Sequence, residues 1–505
     1  MGSNETGAKS NRSWTEVVTA TRAIRDAQIR KHEAANRNGS FDILGADIAD
    51  VKTLTNLLES GQVSAEDMIR TYIGRACEAQ KKTNCLTEIC FDDAIDQARH
   101  LDNFQRTHGR LIGPLHGVPM SAKDQFNIKG LDSTLGYVCN AFTPAKSDAP
   151  LVHTLKQLGA IIIAKTNLPQ SIMWCETDNP LWGLTTHPTN SKLTPGGSSG
   201  GEAALLALGG SLIGWGTDIG GSIRIPCHMN GLWGLKPSSG RMSYRGAEVS
   251  LDGQQHVPSA VGPMAKSLIS LTVVTKLVIA AEPWTRDPQL PPIPWRDNIF
   301  QDLSTRPVVI GTMLDDGAVR VNPPIKRVFC LDSSQKLTTR GQNEYYAADG
   351  GEPFVPQIQP FVDRGRPISV FQYWQLNKRK AAIQQAYHDM CDSIRLLSGQ
   401  PVDVLLVPTM PHTAVPHGSC RWTGYTKLFN FLDYTALTFP AGIASKDEDQ
   451  KRCGDFAPRN AHDAWNWGLY DPSAMDGHSI GLQIVGRRFE EEKVLGAAQH
   501  IQQLL

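Results

Sequence analysis

The chain has 505 residues, of which 40% are hydrophobic and 20% are charged, a balance typical of a globular protein with a large core. Its 50 basic and 50 acidic side chains cancel, unlike the basic composition of nucleic-acid-binding proteins and of polybasic membrane-surface proteins. We therefore expect no nucleic-acid partner.

The ten cysteines are scattered along the chain, and neither a CxxC pair nor a Cys/His spacing typical of zinc sites occurs. This pattern predicts free thiols in a reducing, cytoplasmic compartment, with no metal and no other cofactor. The N-terminus stays polar and lacks the apolar run of a signal peptide. It fits the short myristoylation pattern at Gly2 and Thr6, which matches by chance often.

The first predicted elements are helical. Residues 1–45 are predicted to be a polar N-terminal extension, partly helical around residues 14–34. A clearer helix is predicted to begin at Ser64, because Ser64 and Asp67 form a capping-box pattern ahead of an apolar face. The most apolar stretch, residues 268–281, is short and contains Lys276, so we predict a core helix and no transmembrane segment.

From residue 150 onward, helices and apolar strands alternate. Residues 151–158 have helical apolar spacing that ends at Gly159, and a buried strand is predicted to follow at residues 160–164. Further strands are predicted at residues 211–217, 308–312, 402–407 and 480–485. This alternation predicts an α/β fold with a large sheet covered by helices on both faces. Because no repeat or clear linker occurs, we predict one domain over residues 46–505.

Two glycine-rich turns lie within PGGSSGGEAALLALGGSLIGWGTDIGGSIRIP, residues 195–226. The first turn contains Ser198 and Ser199, and a short helix is predicted to follow it at residues 202–208. The second turn ends in Ser222 after a predicted strand. Successive backbone N–H groups in such a turn can converge on an anion, which a nucleophilic hydroxyl needs beside it.

A serine hydroxyl needs a base to become a good nucleophile. The candidate is Lys123, because Met120 and Ala122 give its surroundings an apolar character. Burial disfavours the ammonium form, and an uncharged lysine can act as a general base near pH 7. From these residues alone, a solvated surface lysine is the default interpretation of Lys123.

Two motifs resemble those of a known family. The segment GGSSGG…GTDIGGSIRIP resembles the amidase signature of serine hydrolases, and GPLHGVPMSAKD at residues 113–124 resembles that family's lysine motif. Ser198 and Ser222 lie 24 residues apart, as the family's two serines do. The resemblance extends from about Glu59 to the C-terminus and is closest to the fungal acetamidase-like branch, which also resembles fatty-acid amide hydrolases.

The resemblance implies a Ser–cisSer–Lys triad and hydrolysis of a small-molecule amide to an acid plus ammonia or an amine. Ser222 would be the nucleophile that forms the acyl-enzyme, Ser198 the bridging serine and Lys123 the base. The backbone amides of Ile219, Gly220, Gly221 and Ser222 would form the oxyanion hole, and Ile172 would offer a backbone contact near the triad.

Several residues have competing interpretations. Residues 197–201 also match the G-x-S-x-G elbow of α/β-hydrolases, with Ser199 as nucleophile, but a loop precedes them and no pattern selects His412 or His478 as the partner. Asp218 and Arg224 are predicted to brace the second turn. Structural roles are also predicted for His116 and for Glu202, the latter through the helix dipole. Cys175 and Glu176 lie in a region expected to face the pocket, and each is equally consistent with a structural role. Five aromatic residues could equally line a pocket or pack in the core: Trp174, Trp182, Trp422, Tyr425 and Phe429.

The chain departs from its apparent relatives near residues 328–353, where it looks considerably shorter. That segment helps to form the acyl-binding channel in the resembling enzymes. An alternative function is therefore a catalytically weakened homologue that binds amides. An amidotransferase subunit is disfavoured by FLDY at residues 431–434 and GRR at residues 486–488. The sequence does not identify the amide or lactam substrate. It also leaves the oligomeric state open, and a homodimer is one possibility.

Overall fold

A computed structural model describes residues 13–36, 48, 50–250, 252–329, 352–356, 368–396, 399–450 and 456–503. The predicted domain boundary at residues 45/46 and the myristoylation pattern at Gly2 and Thr6 lie outside these residues. So does most of the shortened segment near residues 328–353. These predictions stay predictions.

Ten strands form one mixed sheet in the order β1-β3-β2-β4-β6-β5-β9-β10-β8-β7. The pairs β2–β3, β2–β4 and β7–β8 are parallel, and the other neighbouring pairs are antiparallel. The strands are β1 (Leu86–Ile89), β2 (Pro119–Lys123), β3 (Ile161–Thr166), β4 (Ile213–Asp218), β5 (Trp233–Lys236), β6 (Ala260–Ala265), β7 (Ile310–Thr312), β8 (Val404–Pro408), β9 (Ala436–Ile443) and β10 (Ser479–Val485).

Fifteen α-helices and three short 3₁₀ helices lie in the described part of the chain. The 3₁₀ helices are Val138–Asn140, Gln170–Ile172 and Pro283–Thr285. The α-helices are α1 (Trp14–Asn36), α2 (Val51–Glu59), α3 (Ala65–Thr83), α4 (Phe91–His108), α5 (Pro150–Gln157), α6 (Gly200–Ala207), α7 (Arg224–Asn230), α8 (Leu268–Ala280), α9 (Asp297–Thr305), α10 (Pro323–Phe329), α11 (Val370–Ser393), α12 (Gly424–Phe431), α13 (Ala461–Leu469), α14 (Pro472–Met475) and α15 (Glu491–Gln502).

The centre of the sheet is covered on both faces, as predicted. Every residue of β2, β3, β4 and β6 is buried. Because successive side chains of a strand point to opposite faces, complete burial requires packing on both. The five strands predicted from apolar runs are all present, with bounds that differ by at most two residues.

Local signals in the sequence explain where several helices begin and end. Ser64 caps α3 by accepting the N–H of Asp67 at 3.0 Å, and Gly159, at φ +96°, follows the end of α5. The predicted N-terminal helix is present as α1, and the Arg22 Nε donates to the Leu181 carbonyl at 2.7 Å. The N-terminal helix therefore packs on the rest of the chain.

The apolar helix α8 is the core helix that its composition predicts. Within the described residues, the window Leu268–Thr285 is long and apolar enough to span a membrane by length and composition alone, and 44% of it is buried. A core helix passes the same test, so this window is weak evidence for a span. Leu271 and Val274 of this helix belong to the main hydrophobic core.

Candidate active site

Lys123 is the last residue of β2, between the parallel strands β3 and β4. Its side chain is completely buried, so the default interpretation of a solvated surface lysine is wrong. Nζ donates to Ser198 Oγ at 2.6 Å and to Thr217 Oγ1 at 3.0 Å. Burial lowers the pKa of Lys123 to about 7, although Asp218, Glu202 and Asp124 oppose the shift. An uncharged amine is therefore available near neutral pH.

Sequence analysis missed the second partner of this lysine. Thr217 lies near the end of β4, and its Oγ1 donates to Gln125 Oε1 at 2.7 Å. Gln125 Nε2 is fixed in turn by Tyr244 Oη at 3.1 Å and by the Glu248 carbonyl at 2.9 Å. Thr217 reaches Lys123 because β2 and β4 are neighbouring strands, and residue spacing along the chain does not show which strands are neighbours.

Ser198 lies in the first glycine-rich turn, immediately before α6. The Gly197–Ser198 peptide bond is cis, and Ser198 is buried. A Cβ at Gly197 would lie 2.7 Å from the Glu176 carbonyl oxygen, so only glycine lets this turn pack against the segment around Glu176. The tight packing fixes the position of Ser198 beside Lys123.

Ser222 lies in the second turn, after β4. It is 9% exposed, whereas Lys123 and Ser198 are 0% and 1% exposed, so Ser222 is the most accessible of the three. Ser199 N donates to the Ser222 carbonyl at 3.1 Å, which ties the two turns together. The structure thus brings the Lys123 and Ser198 side chains into contact and joins Ser222 to them through the backbone.

The predicted brace of the second turn is confirmed. Arg224 Nη2 lies 2.9 Å from Asp218 Oδ1, and both side chains are completely buried. Burial would raise the pKa of Asp218, but the charge and hydrogen bonds of Arg224 hold it well below its usual range. Arg224 also donates to Asn430 Oδ1 of α12 at 2.6 Å and to Gln483 Oε1 of β10 at 2.9 Å, which anchors the turn to both elements.

The four predicted oxyanion amides differ in their surroundings. Gly221, at φ +128°, donates its N–H to Asp218 Oδ1 at 2.8 Å. Within the described residues, the amides of Ile219, Gly220 and Ser222 have no acceptor. A Cβ added at Gly220 would meet no atom within 4 Å, so the turn faces open space there. Three amides are therefore available to a ligand.

Ile172 ends a short 3₁₀ helix after β3. Ser171 and Ile172 both have positive φ, 64° and 62°, and the Ser171 N–H donates to the Leu135 carbonyl at 2.9 Å. Asp124, next to Lys123, holds the same loop by accepting the Leu135 N–H at 2.8 Å. Ile172 is thereby connected to the lysine strand through two hydrogen bonds.

The elbow interpretation of Ser199 lacks its structural context. No strand directly precedes this serine, and its side chain is completely buried. His412 is buried and contacts its neighbour, with Nδ1 2.8 Å from the Thr413 carbonyl. His116 has the structural hydrogen bond predicted for it, accepting the Ile112 N–H at 3.2 Å. Within the described residues, no group of three or more His, Cys, Asp or Glu side chains could hold a metal ion.

Glu202 lies in the first turn of α6, where the helix-dipole interpretation places it, but its carboxyl faces the sheet. It is completely buried and accepts the hydroxyls of Ser121 at 2.6 Å and Thr166 at 2.7 Å. The dipole interpretation is therefore incomplete. Trp182, Tyr425 and Phe429, for which pocket and core were both open, are core residues.

Comparison with known proteins gives the family of this arrangement. The family model described as Amidase matches residues 67–345 and 330–495. The chain is 64% identical to Amidase 2 of Gibberella moniliformis over 506 aligned positions, which cover 98% of each protein. It is 35% identical to an acetamidase of Emericella nidulans, covering 90% of this chain and 89% of the relative. A solved structure of fatty acid amide hydrolase superposes with a TM-score of 0.81 at 29% identity, covering 98% of this chain and 91% of that one. The chain therefore belongs to the amidase (amidase signature) family of hydrolases that act on amides.

Proposed function

We propose that the chain is a serine amidase that cleaves the C–N bond of a small carboxamide through an acyl-enzyme on Ser222. Lys123 is the base and Ser198 relays the proton. The observation that carries this proposal is the 2.6 Å contact between Lys123 Nζ and Ser198 Oγ in a completely buried setting. The free thiols of the described cysteines support the further proposal of a reducing, cytoplasmic location.

The hydrogen bonds of Thr217 support the role of Lys123 as proton acceptor. Because Thr217 Oγ1 donates its hydrogen to Gln125, its oxygen is free to accept an N–H from Lys123. An uncharged Nζ that donates to Thr217 can turn its lone pair toward the hydroxyl of Ser198. This orientation is the one in which a lysine amine accepts the proton of a serine.

The proposed reaction has two stages. Lys123 accepts a proton from Ser198 as Ser198 accepts one from Ser222, and Ser222 Oγ attacks the carbonyl carbon. The amides of Ile219, Gly220 and Ser222 stabilise the tetrahedral oxyanion, each by about 3 kcal/mol. The proton returns through Ser198 to the leaving nitrogen, the C–N bond breaks, and ammonia or an amine departs. Water then cleaves the ester by the same route.

The proposed substrate is a small carboxamide, and acetamide is the first to test because one relative is named acetamidase. Across a panel of aliphatic amides, aryl-acetamides and lactams, the release of ammonia or an amine, or for a lactam the formation of the ring-opened amino acid, measures turnover directly. We expect Lys123→Ala to reduce kcat/KM by about 10³-fold, since it removes the general base. His478→Ala should keep wild-type turnover, because no proposed step uses this histidine.

A fluorophosphonate probe tests the nucleophile separately. We expect it to label Ser222, with labelling lost in Ser222→Ala and kept in Ser199→Ala, a matched change in the neighbouring turn. An adduct on Ser199 would instead support the elbow interpretation. A folded wild-type protein that neither reacts with the probe nor releases ammonia would support an amide-binding homologue without turnover.

A further inference from the structure

Glu202 lies directly beneath the strand that carries Lys123. Ser121 and Lys123 are two residues apart in β2, so their side chains leave the same face of the sheet. Ser121 Oγ donates to Glu202 Oε2, and Thr166 Oγ1 of β3 donates to Oε1. A Cβ at Gly214 of β4 would overlap Oε2, so a larger residue there would displace the carboxyl from its present position. Residues of three strands, β2, β3 and β4, therefore contact this carboxyl or leave space for it.

The partners of Glu202 are hydroxyls, and no salt bridge to it occurs within the described residues. Two titratable groups face it, Lys123 of β2 and the thiol of Cys85 before β1. Asp218 of β4 and Arg224 of α7 are paired with each other. Ala76 of α3 and Met264 of β6 lie in hydrophobic clusters with apolar residues of α6.

An ionised carboxylate in this position would be a buried charge without a cation in contact. Such a group costs several kcal/mol to desolvate, and a buried acid normally avoids this by keeping its proton. We propose that Glu202 is un-ionised near neutral pH, and that this neutral carboxyl is a positioning residue that keeps Lys123 a free amine. The second clause rests on the proposed base role of Lys123.

The protonation state of Glu202 affects the pKa of Lys123, because the buried interior between them screens charge weakly. An anion at Glu202 would stabilise the ammonium form of Lys123 and remove the base at neutral pH. A neutral acid keeps both contacts without that effect, because its O–H can donate to one of the two hydroxyls, Ser121 or Thr166, while the other hydroxyl donates to the remaining carboxyl oxygen. In agreement, burial raises the pKa of Glu202 to about 8, although the hydroxyls of Ser121 and Thr166 and the charge of Lys123 oppose the shift.

Thermal unfolding as a function of pH tests the protonation state without any need for turnover. If the pKa of Glu202 is raised on folding, the folded protein loses stability as the pH rises from 4.5 toward 8, because the unfolded chain gives up this proton first. Glu202→Gln has no proton to lose. We expect its Tm, relative to wild type, to rise by about 3 °C or more between pH 5 and pH 8.

Glu66→Gln is the matched control for this measurement. Glu66 is partly exposed and ion-paired with Arg70 and Arg99, so its carboxyl is ionised in both states above pH 5. Its Tm difference from wild type should stay constant from pH 5 to pH 8. A Glu202→Gln difference that stays constant or falls with pH would overturn the proposal.

The pH dependence of kcat/KM tests the effect on Lys123. We expect Glu202→Gln to keep the acid-limb midpoint of the wild type to within about 0.3 pH unit, which is less than 0.5 kcal/mol. A midpoint lower by a unit or more would mean that wild-type Glu202 is an anion that supports the ammonium form, and would overturn the proposal. If wild type has no amidase activity, the proposed function fails while the unfolding experiment still decides the charge of Glu202.

Infrared spectroscopy covers the case in which Glu202→Gln does not fold. An un-ionised carboxyl has a C=O stretch that is well separated from carboxylate bands. We expect wild type at pH 7 to have such a band, and Ser121→Ala to shift it, because Ser121 donates to the same carboxyl. A spectrum in which Ser121→Ala shifts only carboxylate bands, or none, would overturn the proposal.

Discussion

Lys123 Nζ lies 3.0 Å from Thr217 Oγ1, so the proposed base has a second hydrogen-bond partner besides Ser198. The two residues come from neighbouring parallel strands, and Gln125 fixes the hydroxyl of Thr217 from the other side. A base held at two points has a defined direction for its lone pair. Four predictions follow from this arrangement and from the turns around it.

Thr217→Val removes the hydroxyl while keeping the side-chain shape. We expect kcat to fall about 10-fold with KM nearly unchanged, because the loss of one hydrogen bond of about 1.4 kcal/mol affects the base and not substrate binding. Steady-state ammonia release measures both constants. Thr217→Ser keeps the hydroxyl and should recover most of kcat; equal losses in both variants would mean that packing matters and not the hydroxyl.

The pH–rate profile should follow the titration of Lys123. Because burial lowers the pKa of this lysine to about 7, the amine is protonated and inactive below that pH and becomes active as the pH rises through it. We expect log kcat/KM for an uncharged amide to rise with a slope of about one below pH 7 and to level off above it. A flat profile from pH 5 to pH 9 would contradict a lysine base.

Arg224→Ala leaves Asp218 buried without its cation. We expect the free energy of unfolding to fall by about 3–5 kcal/mol, as for other broken buried pairs, and probe labelling of Ser222 to slow. Urea denaturation measures the first effect. Arg99→Ala is the control, because Arg99 is half-exposed and solvent weakens its ion pairs, so we expect a much smaller loss of stability. Similar losses in the two variants would contradict this ranking.

Gly221→Ala tests the space inside the second turn, which contains Ser222. The new Cβ would lie 2.4 Å from Thr426 Oγ1 and 2.6 Å from Ile225 Cδ1, at a φ of +128° that side chains rarely adopt. We expect the variant to lose at least about 2 kcal/mol of stability and most of its labelling. Gly468→Ala, at an open, exposed helix position, should be neutral or slightly stabilising. A well-folded, fully labelled Gly221→Ala would show that the turn relaxes easily.

The sequence predicted the strands that are continuous apolar runs, because complete burial on both faces leaves that signature. It did not predict β6 and β9, since Gly262 and Pro263 interrupt the first and Pro440 and Gly442 the second. The short strand β1 contains Glu88, so it also lacks an apolar run. These strands exist because their neighbours in the sheet supply the packing.

Some residues of the candidate site could be identified from the sequence, and others could not. Lys123, Ser198 and Ser222 were identifiable because long motifs surround them. Thr217 and Glu202 were within the printed motifs, yet their roles depend on which strand lies beside which, and register is a property of the folded sheet. Residue spacing along one chain contains no such information, so these two roles required coordinates.

The hydrogen bonds of Arg224 to Asn430 and Gln483 join residues more than 200 positions apart. As a result, a nascent or truncated polypeptide that ends before α12 would contain all three proposed triad residues and still lack both anchors of the turn that contains Ser222. The turn around Ser222, the proposed nucleophile, is in this sense completed late, because both of its anchors are made after the triad residues. Proteolysis between α7 and α12 should therefore abolish amidase activity only when the two fragments dissociate.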